Sequence, residues 1–412
     1  MIIRGATYRL SPSLEQEEQL SQFVGVCRLV YNLCLEQRQV WRRQFKRVTG
    51  GNISFTTQGR EITALRAEFD WVRATPCECL HQVARDLDAA FEAFFKKTAG
   101  YPSFRRKGEN DSFRTKGRDL SIKPLNKKWS LVRLPKIGWM KFRSTKELRG
   151  TIKNATVCHK NGVWFISFVS EIEHQTPAPP VATVGIDRGV TTTLALSSGE
   201  TMALPDSLKK LELRKRLSQR VAARRKRGSK RYRRIHARIA RIQAKQARIR
   251  RSFHHNAALN ISRRFGVAVL EDLKTRNMTA SAKGTVTAPG RNVRQKSGLN
   301  RVILAAGWHQ FQTILTYKME ERGGLVVTVQ PEYTSQTCAA CGVIDARSRK
   351  SQARFECVSC GHTAHADINA AINIERRWST PLLGVEGLHK RPCEASTLKD
   401  LKSLDEPKLL SA

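Results

Sequence analysis

The stretch Thr183–Val190, with the sequence TVGIDRGV, decides the fold predicted for this chain. Its apolar run ends on a single aspartate, Asp187, and is followed by Gly189 and a second apolar run at 191–196. This pattern predicts a β-hairpin that holds one carboxylate near its centre. A strand-end aspartate that only closes a turn is the alternative, and the stretch alone does not decide between the two.

Two later carboxylates stand at comparable places. The apolar run 267–270 is typical of a buried strand and ends on Glu271. The run 366–371 is predicted to open a helix, with Asp367 in its first turn. Three acidic groups at the ends of elements are the parts from which a Mg²⁺ site for phosphodiester cleavage is built.

The composition favours a polyanionic partner. The chain has 412 residues, with 74 Lys and Arg against 35 Asp and Glu, a net charge of +39. Such an excess favours nucleic acid; a bilayer surface is the alternative. However, no apolar run approaches the roughly 20 residues of a membrane span, and no signal peptide precedes the first strand. We therefore expect a cytoplasmic protein, nucleoid-associated when bound to DNA, whose ten cysteines are reduced.

The N-terminal half is predicted to combine helices with strands. Ser13 and Gln16 form a predicted capping box. The helix that follows has an apolar stripe at helical spacing: Leu20, Phe23, Cys27, Val30 and Cys34. A second helical block is expected at about 61–97, and strands at about 129–171 with a hairpin turn at 161–162. With the first strand, these strands are predicted to close a small antiparallel barrel.

Residues 205–255 are the most basic part of the chain, with 20 Lys or Arg and two acids. Apolar residues recur there at helical spacing, which predicts two amphipathic helices with a corner at 228–229. The nearly acid-free outer face favours contact with a phosphate backbone. The cations that we assign to nucleic-acid binding are Arg224, Arg225, Lys226, Arg231 and Arg234. Further along, a mobile loop is expected at 280–295 and a single helix at about 299–322.

The loop 100–107 alternates aromatic and cationic side chains. Its candidate contacts with nucleic acid are Tyr101, Phe104, Arg105, Arg106 and Lys107. Such residues stack on bases and neutralise phosphates, but a solvated basic loop is the alternative.

Four cysteines form two CxxC pairs, Cys338 with Cys341 and Cys357 with Cys360. Each pair is followed by glycine, as the turns of zinc knuckles prefer. Four thiolates at this spacing predict a closed, tetrahedral Zn²⁺ site with a structural role. His362 and His365 are spare ligands that such a site does not need.

Four motifs in order make a family recognisable. They are GIDRG at 185–189, EDL at 271–273, YTSQTCAACG at 333–342, and ADINAAINI at 366–374 after Cys360-Gly361. They closely resemble the TnpB family of transposon-encoded, RNA-guided DNA endonucleases, which are related to type V CRISPR effectors.

The resemblance implies a multidomain α/β protein. Its parts are a RuvC-like (RNase H fold) nuclease with an inserted zinc ribbon, and an N-terminal antiparallel β-barrel, the wedge, with a helical recognition insertion. The expected bounds are 1–12 and 117–175 for the wedge and 13–116 for the insertion. The nuclease domain would span 181–331, with a basic helical hairpin at 205–264, and end in the helix 363–378. The ribbon would span 332–362, and 379–412 would be a poorly ordered tail.

The resemblance also implies the chemistry. Asp187, Glu271 and Asp367 would be the catalytic triad and would hold two Mg²⁺ ions. Adjacent strand residues point to opposite faces, so Glu271 and Asp272 do not both bind metal, and the resemblance favours Glu271. The partners would be a guide RNA derived from the transposon end and a double-stranded DNA target, cut next to a short flanking motif. Phe55 and His81 would lie where that motif is read. The oligomeric state stays open between a monomer and a dimer with one RNA.

Three other functions are weighed. A nuclease-inactive, RNA-guided repressor would lack triad residues, and all three are present. A compact type V CRISPR effector has the same fold, and a neighbouring repeat array would identify it. A DDE-like transposase is disfavoured by the zinc ribbon inside the nuclease fold.

Overall fold

A computed structural model describes residues 1–45, 50–51, 53–109 and 111–379. The tail 379–412 lies outside these residues except for Ser379, as does Cys393. The chain divides into two compact units, Met1–Gln175 with Leu213–Lys245, and Thr176–Glu212 with the residues from Gln246 onward. Within the described ranges, none of the helices has both the length and the apolar composition that crossing a bilayer requires.

The first unit contains a seven-stranded antiparallel sheet. Its strands are β1 (Ile2–Ser11), β2 (Ser112–Lys116), β3 (Ser121–Asn126), β4 (Trp129–Leu134), β5 (Gly138–Arg143), β6 (Thr151–Lys160) and β7 (Val163–Ile172). Their order is β2-β6-β7-β1-β5-β4-β3. β1 pairs with β7 as far as Arg9 and with β5 from Leu10 onward, so it joins the two halves of the sheet. No ladder between β2 and β3 is found in the described part of the chain, and closure into a barrel stays a prediction.

Local sequence explains one turn of this sheet, and strand pairing shows where β2 begins. Asn161 and Gly162 both have positive φ, 53° and 78°, as the tight turn between β6 and β7 requires. The predicted hairpin is therefore confirmed. β2 pairs with β6 from Ser112 to Lys116, so this strand of the sheet begins five residues before the wedge segment expected from residue 117. Phe113 on β2 is buried in the core of this unit.

The described residues among the first 109 form the helices α1 (Leu14–Gln44), α2 (Phe55–Glu68), α3 (Asp70–Arg73) and α4 (Cys77–Phe95). The capping box is confirmed, since Ser13 and Gln16 each accept from the other's backbone N–H, at 3.3 and 3.1 Å. All five residues of the predicted apolar stripe of α1 are buried. The helical block expected at about 61–97 begins earlier, at Phe55, and is divided into three helices, because Phe69 adopts an extended conformation and Pro76 immediately precedes α4.

The two predicted basic helices are confirmed as α5 (Ser207–Ala223) and α6 (Lys230–Arg264). Gly228, at the corner between them, has a φ of 80°.

The second unit is built on a mixed five-stranded sheet. Its strands are β8 (Thr183–Asp187), β9 (Leu194–Leu196), β10 (Thr201–Met202), β11 (Val267–Glu271) and β12 (Leu325–Val329), in the order β10-β9-β8-β11-β12. β8, β11 and β12 are parallel, whereas β9 is antiparallel to β8. The predicted hairpin at Asp187 is therefore confirmed, with a second strand shorter than the expected 191–196.

Besides the start of α5 and the end of α6, the described residues of this unit form four α-helices: α7 (Thr275–Met278), α8 (Val293–Ala306), α9 (Trp308–Glu320) and α10 (Ala366–Ser379). The single helix expected at 299–322 is wrong. Gly307 separates α8 from α9 with a φ of 71°, and a Cβ there would lie 3.1 Å from Cε1 of His254. The imidazole of His254 is buried, and its Nε2 is 3.1 Å from the carbonyl oxygen of Ala306 at the end of α8.

The last helix lies directly against β8. Ala370, Ala371 and Ile374 of α10 are buried. A Cβ on Gly185 of β8 would collide with the carbonyl oxygen of Ala371, so the close approach of helix and strand requires glycine. Before α10, a short hairpin of β13 (Arg354–Glu356) and β14 (Thr363–His365) surrounds the second cysteine pair.

Candidate metal centres

Asp187 and Glu271 stand at the carboxyl ends of neighbouring parallel strands. Leu270 of β11 pairs with Ile186 of β8, so the next residue along each strand is one of the two acids. Glu271 is 8% exposed, whereas Asp272 is exposed, and its backbone N–H donates to the carbonyl of Val329. This difference favours Glu271 over Asp272 as the inward-facing acid.

Asp367 reaches the same place from α10. Its side chain is buried, and the backbone N–H of Asp367 donates to Nδ1 of His365 at 3.3 Å. A Cβ built on Gly189, in the loop after β8, would lie 3.9 Å from Oδ2 of Asp367. The helix start therefore brings this carboxylate to the end of β8.

The three carboxylates influence one another electrostatically. Burial, together with the charges of Glu271 and Asp367, raises the pKa of Asp187 to about 7, against the opposing charge of Arg349. Burial also raises the pKa of Glu271, and the hydroxyl of Thr334 opposes that rise. Partly buried carboxylates that repel one another form an acidic centre that a divalent cation would neutralise.

The three carboxylates are not clustered as closely as the four cysteines. Among the described residues, no group of three or more His, Cys, Asp or Glu ligands lies within 4.8 Å of one another except the four cysteines treated below. The three carboxyl groups are therefore more widely spaced than the ligands of a closed single-ion site. This spacing and the oxygen-only ligand set fit Mg²⁺, which keeps several waters or substrate oxygens when it is bound.

Two arginines at this centre were not identified from the sequence as site residues. Arg188 is 5% exposed and donates to the backbone carbonyl of Glu271 and, at 3.1 Å, to Oε1 of Gln312. Arg349, between the two cysteine pairs, has Nη2 3.5 Å from Oδ1 of Asp367. Arg188 lies within the GIDRG motif, from which only the aspartate was assigned to the site, whereas Arg349 is one cation among many and no spacing or motif distinguishes it.

The four predicted zinc ligands come together as expected. Sγ of Cys338 lies 3.7 Å from Sγ of Cys360, and Sγ of Cys341 lies 3.6 Å from Sγ of Cys357. A tetrahedral site with Zn–S distances of about 2.3 Å has S–S edges of about 3.8 Å, so these thiols fit zinc. The two histidines considered as spare ligands, His362 and His365, are not in the cluster.

The backbone explains why each cysteine pair folds this way. Gly342 and Gly361 have positive φ, and their N–H groups donate to the carbonyls of Cys338 and Cys357. Backbone N–H groups, that of Cys360 foremost, together with the neighbouring thiols, lower the pKa of Cys357. Donors aimed at sulfur favour the thiolate form that binds metal.

The nucleic-acid candidates of the first unit differ in how freely they project. Phe55 packs against His81 and beneath the guanidinium of Arg85, whose Cζ is 4.7 Å from the ring centre. Arg105 lies over the ring of Tyr31 at 3.9 Å. Tyr101 contacts two phenylalanines of α4. The exposed candidates are Tyr101, Phe104, Arg106, Lys107, Arg224, Arg225, Lys226, Arg231 and Arg234.

Three family models match successive parts of the chain. A helix-turn-helix domain of OrfB proteins matches residues 1–47, a model described as a probable transposase matches 167–282, and a Cas12f1-like TNB domain matches 308–374. The Escherichia coli K12 protein named "Putative RNA-guided DNA endonuclease InsQ" is 38% identical over 89% of this chain and 90% of its own length. The chain belongs to the TnpB family.

Other similarities agree with this family. A "Putative RNA-guided DNA endonuclease" of Streptomyces pristinaespiralis is 28% identical over 90% of this chain and 88% of its own length. A Cas12f1 structure, solved in a complex with sgRNA and target DNA, superposes with a TM-score of 0.57. It is 13% identical over 91% of this chain and 98% of that chain. At 13% identity, this similarity shows only that the two proteins share a mixed α/β fold.

Proposed function

We propose that this protein is an RNA-guided endonuclease, encoded by a transposable element, that cleaves double-stranded DNA next to a short flanking motif. The convergence of Asp187, Glu271 and Asp367 at the ends of β8 and β11 and the start of α10 carries the proposal. The relatives named as RNA-guided DNA endonucleases support it over nearly the whole chain.

The three carboxylates are the proposed ligands of two Mg²⁺ ions. When bound, such ions activate a water and stabilise the leaving oxygen of an in-line displacement at phosphorus. The charges of both Glu271 and Asp367 raise the pKa of Asp187, so Asp187 is the proposed shared ligand. The side chain of Arg349 lies beside Asp367, where its charge would offset that of the phosphate backbone.

The finer domain assignment follows from this proposal. The five-stranded sheet with α10 would be the RuvC-like nuclease domain, and the seven-stranded sheet would be the wedge barrel. The helices α1 to α4 would be the recognition insertion. The four cysteines would hold a structural Zn²⁺ that folds the ribbon between β12 and α10.

Specificity would come from base pairing between a guide RNA and the target strand, while the protein reads only the flanking motif. Cations along α5 and α6 and in the loop 100–107 would contact the phosphate backbones. The charge of +39 supports a large nucleic-acid surface.

A single experiment tests this function. The gene is expressed with its downstream region, and the protein is purified with the RNA that accompanies it. The complex is then incubated with Mg²⁺ and plasmids that carry one guide-matched target beside randomised bases. We expect cleavage only at a subset of flanks and none with Asp187→Ala, while binding to the target is retained.

The other outcomes would contradict the proposal. Binding without cleavage by the unaltered protein would indicate an RNA-guided repressor. Cleavage or strand transfer without RNA would indicate a transposase that acts by itself.

A further inference from the structure

Thr334 is a buried residue whose hydroxyl group contacts the acidic centre. Its side chain is 3% exposed, and its Oγ1 donates to Oε1 of Glu271 at 2.5 Å. The carbonyl oxygen of Pro331 lies farther from the same hydroxyl, at 3.2 Å. A hydroxyl has one proton, and a bond to an ionised carboxylate is the stronger of the two. The Thr334 hydroxyl therefore donates its hydrogen bond to the carboxylate of Glu271.

The backbone of Thr334 is itself held by α10. The carbonyl oxygen of Thr334 accepts from Nδ2 of Asn373 at 3.0 Å, and the same Nδ2 donates to the carbonyl of Thr337 at 2.6 Å. Asn373 is 5% exposed, so its amide has no solvent alternative to these bonds. A buried amide with two backbone partners fixes the segment it contacts.

A second buried asparagine extends these contacts to the zinc ligands. Nδ2 of Asn369 donates to the carbonyl of Thr337 at 2.8 Å, and its Oδ1 accepts from the backbone N–H of Ala339 at 2.9 Å. Thr337 and Ala339 are the neighbours of the buried zinc ligand Cys338. Asn369 also lies two residues after Asp367 on the same helix.

We propose that Thr334 is a positioning residue that fixes the carboxylate of Glu271 for divalent cations. We further propose that the folded cysteine cluster, through Asn369 and Asn373, sets where Thr334 stands. Folding of the zinc ribbon is then coupled to cation affinity at the acidic centre. The catalytic consequence rests on the proposed function, but the cation affinity does not.

The physical reason is the freedom of a glutamate side chain. Without a fixed partner the Glu271 carboxylate samples several rotamers, and only some of them face the other two acids. The hydroxyl of Thr334 selects one position before the cation arrives. Removing a group that orients a metal ligand typically lowers metal affinity or activity by about 10- to 100-fold.

Two substitutions of Thr334 separate positioning from packing. Thr334→Val keeps the shape and removes the hydroxyl, whereas Thr334→Ser keeps the hydroxyl and removes a methyl group. If Thr334 positions Glu271, the valine variant is impaired and the serine variant is not. A role in packing alone would give the opposite order. Thr279→Val is the matched control, because that hydroxyl bonds only to helix carbonyls.

The readout is Mn²⁺ binding to the full-length, zinc-loaded protein, followed by electron paramagnetic resonance. The signal lost with Asp187→Ala defines occupancy of the acidic centre. We expect about 10- to 100-fold weaker binding for Thr334→Val, less than about twofold change for Thr334→Ser, and none for the control. In the guide-RNA complex, the Mg²⁺ half-saturation for cleavage should rise by the same factor.

The link to the zinc ribbon is tested with Asn373→Ala. This variant should weaken Mn²⁺ binding although the hydroxyl of Thr334 is intact, and the double variant with Thr334→Val should lose less than the two factors multiplied. Wild-type binding by Thr334→Val would overturn the positioning proposal, and purely multiplicative losses would overturn the link. Mn²⁺ binding does not depend on cleavage. The binding measurements would therefore test the positioning role and the link to the ribbon even if the protein proved not to cleave DNA.

Discussion

The two candidate metal centres are built in opposite ways. The four cysteines come from two short segments, their sulfur atoms all lie within 4.8 Å of one another, and the local backbone shapes each pair. The three carboxylates come from two strands and a helix that are 84 and 96 residues apart in sequence, and they are spaced more widely. Closely spaced thiols suit an ion that is held permanently, whereas spaced carboxylates leave positions for water and a phosphate.

The cysteine centre is shaped by local geometry, whereas the acidic centre is shaped by long-range geometry. The cysteine centre depends on knuckle turns, so it should resist changes elsewhere in the chain. The acidic centre depends on the register of β8 with β11 and on the packing of α10. It should therefore respond to distant changes, including changes in the cysteine centre that the buried asparagines transmit.

The largest effect should come from the acidic centre itself. Glu271→Gln should lower cleavage by at least about 10³-fold, because a metal ligand contributes several kcal/mol to the charge stabilisation of the transition state. The matched control is Asp272→Asn, an exposed carboxylate one residue away, which should stay within about twofold of the wild type. Both variants are compared by single-turnover cleavage with saturating guide RNA. Equal losses in the two would show that the acids do not differ in role.

Disruption of the cysteine centre should be the next largest effect. Cys338→Ser removes a buried ligand, and the ribbon should lose zinc and unfold locally, with cleavage reduced by about 100-fold. Cys158→Ser, a cysteine of β6 that is buried like Cys338 but lies outside the cluster, is the control. Zinc content by mass spectrometry and binding of guide RNA are measured alongside cleavage. A variant without zinc that still cleaved normally would break the proposed dependence of one centre on the other.

Arg349 lies between the two cysteine pairs and contacts Asp367, so its substitution tests whether a cation from this segment contributes to the acidic centre. Arg349→Ala should lower cleavage by about 10- to 100-fold with little effect on DNA binding, because it removes a cation beside Asp367. Arg347→Ala is the matched control, since that side chain pairs with Asp345 on the surface. The ratio of the two cleavage rates is the measurement. Equal rates would place Arg349 outside the reaction.

The smallest expected effect is the pH dependence of cation binding. Burial and neighbouring acids raise the pKa of Asp187 to about 7, and only the ionised carboxylate binds a cation. The Mg²⁺ half-saturation should therefore rise by about tenfold between pH 8 and pH 6. Without metal, the folded state holds a proton that the unfolded chain releases above pH 3.8, so the unfolding free energy should fall as pH rises from there to about 7. A half-saturation independent of pH would contradict the raised pKa.

Local patterns predicted much of both centres. The CxxC spacing predicted the cysteine cluster, and apolar runs that end on an acid predicted β8 and β11. The capping box at Ser13 and the turn at Asn161-Gly162 also depend only on neighbours in sequence. These features could be predicted because the residues that cause them lie within a few positions of one another.

The features that escaped prediction depend on distant parts of the chain. Gly307 separates two helices at a place where a Cβ would meet His254, more than fifty residues earlier. β2 is a strand because β6 pairs with it. The proximity of Arg349 to Asp367 and of Thr334 to Glu271 follows from how α10 and the ribbon lie against the sheet. A single sequence contains no local signal for such contacts.

The central claim is that one metal centre is closed and structural and the other is open and catalytic. The most direct test is to dialyse the guide-RNA complex briefly against EDTA, measure retained zinc by mass spectrometry, and assay cleavage before and after Mg²⁺ is restored. We expect cleavage to disappear while zinc stays bound at the four cysteines, and to return with Mg²⁺ alone. Cleavage that persists without Mg²⁺, or that returns only when zinc is supplied, would contradict the account.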